Sequence, residues 1–439
     1  MVLSFSTSIT SWLKKTNGFW FSFYAAGVAF GLYTCVYTFR KTFSVATFDG
    51  LVFLGISYKV WLVVFQVMGY ALSKFIGIKV VSELNAGKRG RNILIMSAIA
   101  CISWLFFAII PPPYNIIFLF TNGLPLGMIW GMIFSYLEGR KNTEVLGAGL
   151  SISFIFSSGL SKTMGSYVMK FWDTSELWMP FVTASLFIIP LLIFTWLIER
   201  LPPPSPEDER MRTKREPMNR VQRKKFILTF LPGIILFIIA YMTLTALRDF
   251  RDNFSAEIWN AVGYGGSPEI FTRTEIPISV AVLMIMGSIM AIRDNTKALM
   301  INHLIIITGM LLIGISTFFF ERGALDATMW MILVGLGLYL GYVPFNSIFF
   351  DRLIAAFRYT GTVGFIMYVA DSFGYLGSIG VLLYKEFGHK ELSWLNFFVS
   401  SGYVIAIAGT LLITGSMIYF ANRQKYWSVS TDTQKTVFT

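Results

Sequence analysis

The sequence is poor in charge, in cysteine and in histidine, and each shortage excludes something. Only 14% of its 439 residues are Asp, Glu, Lys or Arg, against about 25% in soluble globular domains, so a water-soluble fold is excluded. The two cysteines, Cys35 and Cys101, both lie inside apolar runs, which leaves no disulfide framework and no thiolate metal cluster. The two histidines, His303 and His389, are far apart and neither belongs to an HExxH-type spacing, so no metal site is expected. "GLGLYLG" (Gly335 to Gly341) sits within an apolar run with no strand before it; it is not a dinucleotide fingerprint. No nucleophile–base constellation is present, so neither an enzyme nor a cofactor is expected. Acidic residues are also few, 24 against 36 basic ones, for a net charge of +12. In a soluble chain that excess would suggest nucleic acid; in one this apolar it points to basic loops on one side of a bilayer.

What the sequence does have is hydrophobic length: 55% of residues are hydrophobic and 17% aromatic. A bilayer core takes about 20 helical residues, and twelve apolar runs reach or approach that length: 18–48, 55–80, 91–111, 113–138, 145–171, 177–199, 226–256, 268–292, 297–320, 326–351, 358–385 and 393–422. An all-α polytopic membrane protein is expected. Lys14 and Lys15 before the first run resemble a signal sequence, but the run is too long for an h-region, so it reads as an uncleaved first helix. Between the sixth and seventh runs lies "ERLPPPSPEDERMRTKREPMNRVQRKK", Pro-rich and carrying nine basic residues, a solvated connector. The expected organisation is a six-helix bundle over 1–199, a linker over 200–225, a second six-helix bundle over 226–422 and a tail over 423–439. Basic residues concentrate in alternate loops (Lys88, Arg89, Arg91; Arg140, Lys141; the linker; Arg293, Lys297; Arg352, Arg358; Arg423, Lys425). That asymmetry places both termini and the linker in the cytoplasm of a cell (inner) membrane.

Six spans, a charged connector, six more spans and both ends inside describe the major facilitator architecture, whose halves are related by a pseudo-two-fold axis with substrate held near the midplane. One internal echo fits that symmetry: "FRKTFS" (Phe39 to Ser44) in the first span and "FRDNFS" (Phe250 to Ser255) in the seventh, which makes Arg40 the counterpart of Arg251. Charges within spans are rare and usually functional. Here they are Arg40 and Lys41; Lys59, Lys74 and Lys79; Lys162; Arg248, Asp249, Arg251 and Asp252; Glu269, Arg273 and Glu275; and Asp371. Lys79 can snorkel, and the three charges opening the eighth span read as interfacial. Arg40 falls mid-membrane if its long helix protrudes inward and at the outer interface if it protrudes outward. Arg248 and Asp252, four apart, can pair along one helix face, which leaves Arg251 to meet a ligand and Asp249 to neutralise a lysine across the bundle; a closed ion-pair network without ligand is the competing reading. With the Arg248–Asp252 pair set aside, Arg40, Lys41, Lys74, Lys162 and Arg251 outnumber Asp371. A cationic surplus of this kind suits an anionic substrate, which arginine binds in a bidentate way. Gly27 and Gly31, and Gly123, Gly127 and Gly131, have the four-residue spacing of close helix packing.

Four stretches carry a family resemblance. "YAAGVAFGLYTCVYTFRKTFSVA", "GYALSKFIG", "NGLPLGMIWG" and "GTVGFIMYVADSFGYLGS" resemble, in order and spacing, segments of the organophosphate:phosphate antiporters, the branch that includes glycerol-phosphate and hexose-phosphate transporters. The resemblance implies that Arg40 and Arg251 (Arg248 if the register slips by one turn) hold the substrate's anionic group, that Lys74 adds charge, and that Tyr37, Trp130, Tyr342 and Tyr375 line the cavity. Where the family has a histidine in its fifth span, this chain reads "SISFIFSSGLSK" and ends on Lys162. Asp249, Asp252 and Asp371 are additions to the family's pattern. Asp371 is the candidate for proton coupling, with Asp249 beside it, because a low dielectric favours the neutral form of a carboxylate. The expected function is secondary transport of a small organic anion, phosphate esters included, by a monomer in the lipid bilayer with no nucleic-acid partner. A non-transporting sensor for a similar anion, signalling through the linker or the tail "SVSTDTQKTVFT", is the alternative. A lipid-handling or structural protein is the third reading.

Overall fold

The computed structural model describes residues 2–82, 86–140, 142–205, 208, 220–357 and 364–436. Its helices are α1 (Val2–Lys15), α2 (Gly18–Lys41), α3 (Tyr58–Ser82), α4 (Arg89–Ile109), α5 (Ile117–Leu137), α6 (Thr143–Trp172), α7 (Met179–Leu186) and α8 (Ile188–Ile198), then α9 (Arg220–Asn253), α10 (Ser255–Ala261), α11 (Ile270–Met290), α12 (Asn295–Glu321), α13 (Ala327–Pro344), α14 (Phe350–Ala356), α15 (Gly364–Gly388), α16 (Trp394–Val404) and α17 (Thr410–Thr436). Among the described residues ten helical stretches are long and apolar enough to cross a membrane, or eleven if α7 and α8, bent by 41° at their junction, count as one span. The 25-residue α15 stands where the eleventh run was expected.

The helix ends follow local chemistry. Asn17 caps α2 by accepting from Trp20 N at 3.0 Å. Asp294 caps α12 through Thr296 N and Lys297 N, and Asp326 caps α13 in the same way. Each side chain satisfies donors that a helix start leaves open. α9 is kinked at Phe230 (φ −116°, ψ 15°), two residues before Pro232, whose ring cannot fit an unbroken helix. π-turns at Phe345–Phe349 and Ile405–Gly409 interrupt the tenth and twelfth spans.

Two elements differ from the sequence expectation. The first is α1, a separate helix before the first span, broken from it at Thr16–Asn17. The second is a two-stranded hairpin, β1 (Val52–Phe53) with β2 (Ile56–Ser57), paired Val52↔Ser57 and Phe53↔Ile56. The second span therefore starts at Tyr58, not at residue 55. Leu54 and Gly55 both have positive φ, 51° and 74°, which is what a two-residue hairpin turn of the favoured hand requires.

The chain forms two compact units. One comprises Met1–Arg212, Arg251–Leu283 and Leu382–Leu395; the other comprises Thr213–Phe250, Met284–Val381 and Asn396–Thr439. In the first, α3 and α5 cross at glycine: a Cβ on Gly69 would meet the Phe120 carbonyl, and one on Gly123 the Gln66 carbonyl. In the second, α12 and α13 do the same, since a Cβ on Gly309 or Gly337 would lie 2.5 Å from the other's carbonyl oxygen. Between lipid-embedded helices, where hydrophobicity gives no drive to associate, such backbone approach supplies the contact. Gly31 faces the Phe194 ring, whereas Gly27 faces open space, so only one of that expected pair packs closely. Gly123→Val and Gly337→Val are each expected to lose about 1–3 kcal/mol or more through overpacking, and Gly27→Ala to be neutral. Thermal unfolding in detergent measures all three; equal midpoints would refute the crossing argument.

Candidate functional site

The site in the first unit begins at the end of α2. There the helix tightens into a 3-10 turn, Thr42–Val45, and side chains cap its last carbonyls. Phe39 O accepts from Trp104 Nε1 at 2.5 Å and from Asn122 Nδ2 at 3.1 Å, and Arg40 O accepts from Gln66 Nε2 at 2.7 Å. With no water in the bilayer core, carbonyls at a helix end need such partners. The result fixes the backbone that carries Arg40 and Lys41.

From that base the two cations part. The Arg40 guanidinium carbon lies over Tyr70, 3.6 Å from the ring centroid, and Lys74 Nζ sits 5.5 Å from the same centroid. Tyr70 is buried while Arg40 and Lys74 are half-buried. Lys41, 2% exposed, turns the other way. Its Nζ donates to Asn253 Oδ1 at 2.6 Å and lies 3.4 Å from Asp252 Oδ2. Asp252 also accepts from Lys162 and Ser158 on α6, and from Tyr37 Oη at 3.0 Å. Nearby, Lys59 pairs with Glu257 at 2.5 Å and donates to Ser44 O at 2.9 Å. Arg251 donates to Glu275 Oε1 at 2.7 Å. Trp130 stacks on Phe134 of its own helix, 5.2 Å between centroids.

In the second unit the Arg248 guanidinium lies over Tyr342, 3.8 Å from its centroid, and donates to Asp249 Oδ1 at 2.6 Å. Asp249 Oδ2 accepts from Ser378 at 2.8 Å. Tyr241 stacks on Tyr342 and donates from its hydroxyl to Asp371 Oδ1 at 2.5 Å. Tyr375 is buried.

Several expected pairings are replaced. Arg248 meets its neighbour Asp249, not Asp252, because the α6 and α2 lysines take Asp252. Asp249 neutralises an arginine, Arg248 of its own helix. Arg251 is held by Glu275, and Glu275 is buried at 5% exposure, not interfacial. The sequence reading missed Tyr70, Ser158, Asn253, Glu257, Tyr241 and Ser378. Of these only Tyr70 carried a local signal, one helical turn before Lys74. The expectations for Lys79, for most of the linker and for the tail lie outside the described side chains. Among the described residues no group of three His, Cys, Asp or Glu side chains could hold a metal ion.

The helix order is that of the all-α major facilitator fold, a polytopic membrane architecture of two pseudo-symmetric six-helix bundles. Solved structures sharing it include a D-xylose–proton symporter, at TM-score 0.58 and 16% identity, covering 92% of this chain and 97% of that one. A mutant peptide transporter in complex with sulfate matches at TM-score 0.60 and 12% identity, over 96% of this chain and 99% of that one. A peptide-transporter-family (POT) protein in complex with 5-aminolevulinic acid matches at TM-score 0.59 and 12% identity, over 90% and 96%. No curated protein is similar in sequence. The chain belongs to the family of unknown function DUF5690, which it matches over residues 42–423.

Removing Asp252 strands two buried lysines, whereas removing Lys41 leaves Asp252 still paired with Lys162. Asp252→Asn is therefore expected to cost about 3–5 kcal/mol, the usual loss on breaking a buried pair, and Lys41→Gln distinctly less. Chemical denaturation of the two variants in matched detergent checks the order; a greater loss in Lys41→Gln would contradict the geometry.

Proposed function

We propose that the protein is a secondary transporter that carries a small organic anion, phosphorylated or carboxylated, by alternating access. The observation that carries this reading is the convergence of Arg40 and Lys74 on one tyrosine ring. Two like charges near one point repel, and the cost is least when an anion lies between them. Tyr70 brings both cations to one ring, and arginine's planar fork is suited to bidentate contact with a carboxylate or phosphoryl group. Arg40 and Lys74 are the leading ligands in this reading, with Tyr37 and Trp130 of the same unit as the aromatic surroundings.

Coupling is assigned to the second unit. Asp371, held by the Tyr241 hydroxyl at 2.5 Å, can exchange a proton while Tyr241 preserves its orientation. Arg248 and Asp249 hold the neighbouring charge fixed. The bundles over 1–199 and 226–422 are the two halves that move, the linker over 200–225 and the tail over 423–439 lie in the cytoplasm, and the working form is a monomer in the cell membrane.

A thermal-shift screen of organic phosphates and carboxylates on the purified protein identifies the anion, and uptake into proteoliposomes then tests the site. Arg40→Ala and Lys74→Ala are each expected to reduce uptake roughly tenfold or more, as for loss of a charged ligand contact, with Arg40→Lys intermediate. Uptake unchanged in both alanine variants would sink the proposal. Ligand-dependent stabilisation with no flux in the wild type would turn the reading to a sensor.

Asp371→Asn is expected to abolish proton-driven accumulation and to spare counterflow. Accumulation that survives in this variant removes Asp371 from the coupling step.

A further inference from the structure

α1 is too short to cross a bilayer: 14 residues span about 21 Å at 1.5 Å per residue, against a core of about 30 Å. Its sequence is strongly two-sided. Ile9, Trp12 and Leu13 recur at helical spacing, while Ser11, Lys14 and Lys15 fall on the other side. One edge is docked on the protein. Leu13 is 3% exposed, and Thr10 Oγ1 donates to Arg200 O at 3.1 Å. Tyr24 Oη beside it donates to Leu197 O at 3.0 Å, and its ring meets Trp12 at 6.3 Å between centroids. Beside that edge Trp12 is 48% exposed, and Lys14 and Lys15 are exposed.

The start of α2 supplies the second observation. Phe19, Trp20 and Phe23 are all exposed, and they touch one another edge-on at 5.4 and 5.9 Å between centroids. Exposed aromatics clustered at the mouth of a membrane helix mark headgroup depth. The corner between α1 and α2 thus lies at the interface, and α1 leaves it as a short amphipathic helix whose docked edge holds it against the end of α8. An interfacial helix with an exposed tryptophan on one side and two lysines on the other matches a leaflet of anionic lipid.

We propose that α1 is an interfacial recognition helix for anionic phospholipid headgroups, with Trp12 embedded at the acyl boundary and Lys14 and Lys15 contacting the headgroup phosphates. The docking through Leu13 and Thr10 fixes α1 against the end of the sixth span and leaves Trp12, Lys14 and Lys15 exposed for lipid.

The test is hydrogen exchange at the α1 amides in the full-length protein reconstituted into nanodiscs of phosphatidylcholine alone or with added phosphatidylglycerol. Phosphatidylglycerol is expected to slow exchange across residues 9–15 by roughly thirtyfold, as two interfacial lysines would give, and the gain is expected to vanish in K14Q/K15Q and at high salt. A Trp12→Ser variant is expected to exchange faster in both lipids. Exchange that is indifferent to phosphatidylglycerol, or a gain that survives K14Q/K15Q, overturns the proposal; full protection already present in phosphatidylcholine does so too, because it would show apolar anchoring without headgroup recognition.

Discussion

The Asp252 carboxylate is the interaction on which the first unit depends. It collects Lys41, Lys162, Ser158 and Tyr37, four donors for the roughly four lone-pair sites of a carboxylate. A bare lysine within hydrocarbon is costly, so neither Lys41 nor Lys162 could be buried at 2–3% exposure without this acceptor. The requirement then spreads. Lys41 must stay in place, so the end of α2 must be rigid, and Gln66, Asn122 and Trp104 supply that rigidity by capping its carbonyls. Gln66 and Asn122 reach those carbonyls, and bond each other at 3.0 Å, because α3 and α5 approach closely at Gly69 and Gly123. The glycine crossing, the caps and the ion pair form one chain of dependence.

Arginine is treated differently from lysine in this protein. The buried lysines 41, 59 and 162 end on carboxylates or an amide carbonyl, as compact point charges do. Arg40 and Arg248 instead lie on tyrosine faces at 3.6 and 3.8 Å. The flat, weakly hydrated guanidinium gains from stacking. Arg248 adds a carboxylate to its ring contact, Asp249 Oδ1 at 2.6 Å, and Arg251 is held by Glu275 Oε1 at 2.7 Å.

The sequence made the class of fold legible through run lengths and the basic loops, because the bilayer imposes a length and a charge rule that need no tertiary knowledge. Individual partners were less legible. Helical spacing suggested an Arg248–Asp252 pair, since only same-helix neighbours can be read from one sequence. The actual partners of Asp252 come from α2 and α6, 211 and 90 positions away in the chain. Glu275 was misjudged for a related reason. Its place near a span end suggested solvent, but burial depends on neighbouring helices, and Arg251 is one of those neighbours. α1 was missed because its apolar side merges with the long run after it; only the Thr16–Asn17 break separates the two.

The echo between "FRKTFS" and "FRDNFS" gains a physical meaning from these contacts. If both copies carried lysine at the third position, two cations would meet near Tyr37 and Ser158 with nothing to neutralise them. The second copy has aspartate there, and Lys41 and Asp252 lie 3.4 Å apart. The matching positions thus carry opposite signs where they meet, while the flanking Phe, Arg, Phe and Ser are the same in both copies. The arginines at the second position differ in partner: Arg40 lies over Tyr70, and Arg251 pairs with Glu275. A lysine in place of Asp252 would leave Lys41 and Lys162 facing a third cation in one buried place, a cost that the aspartate removes.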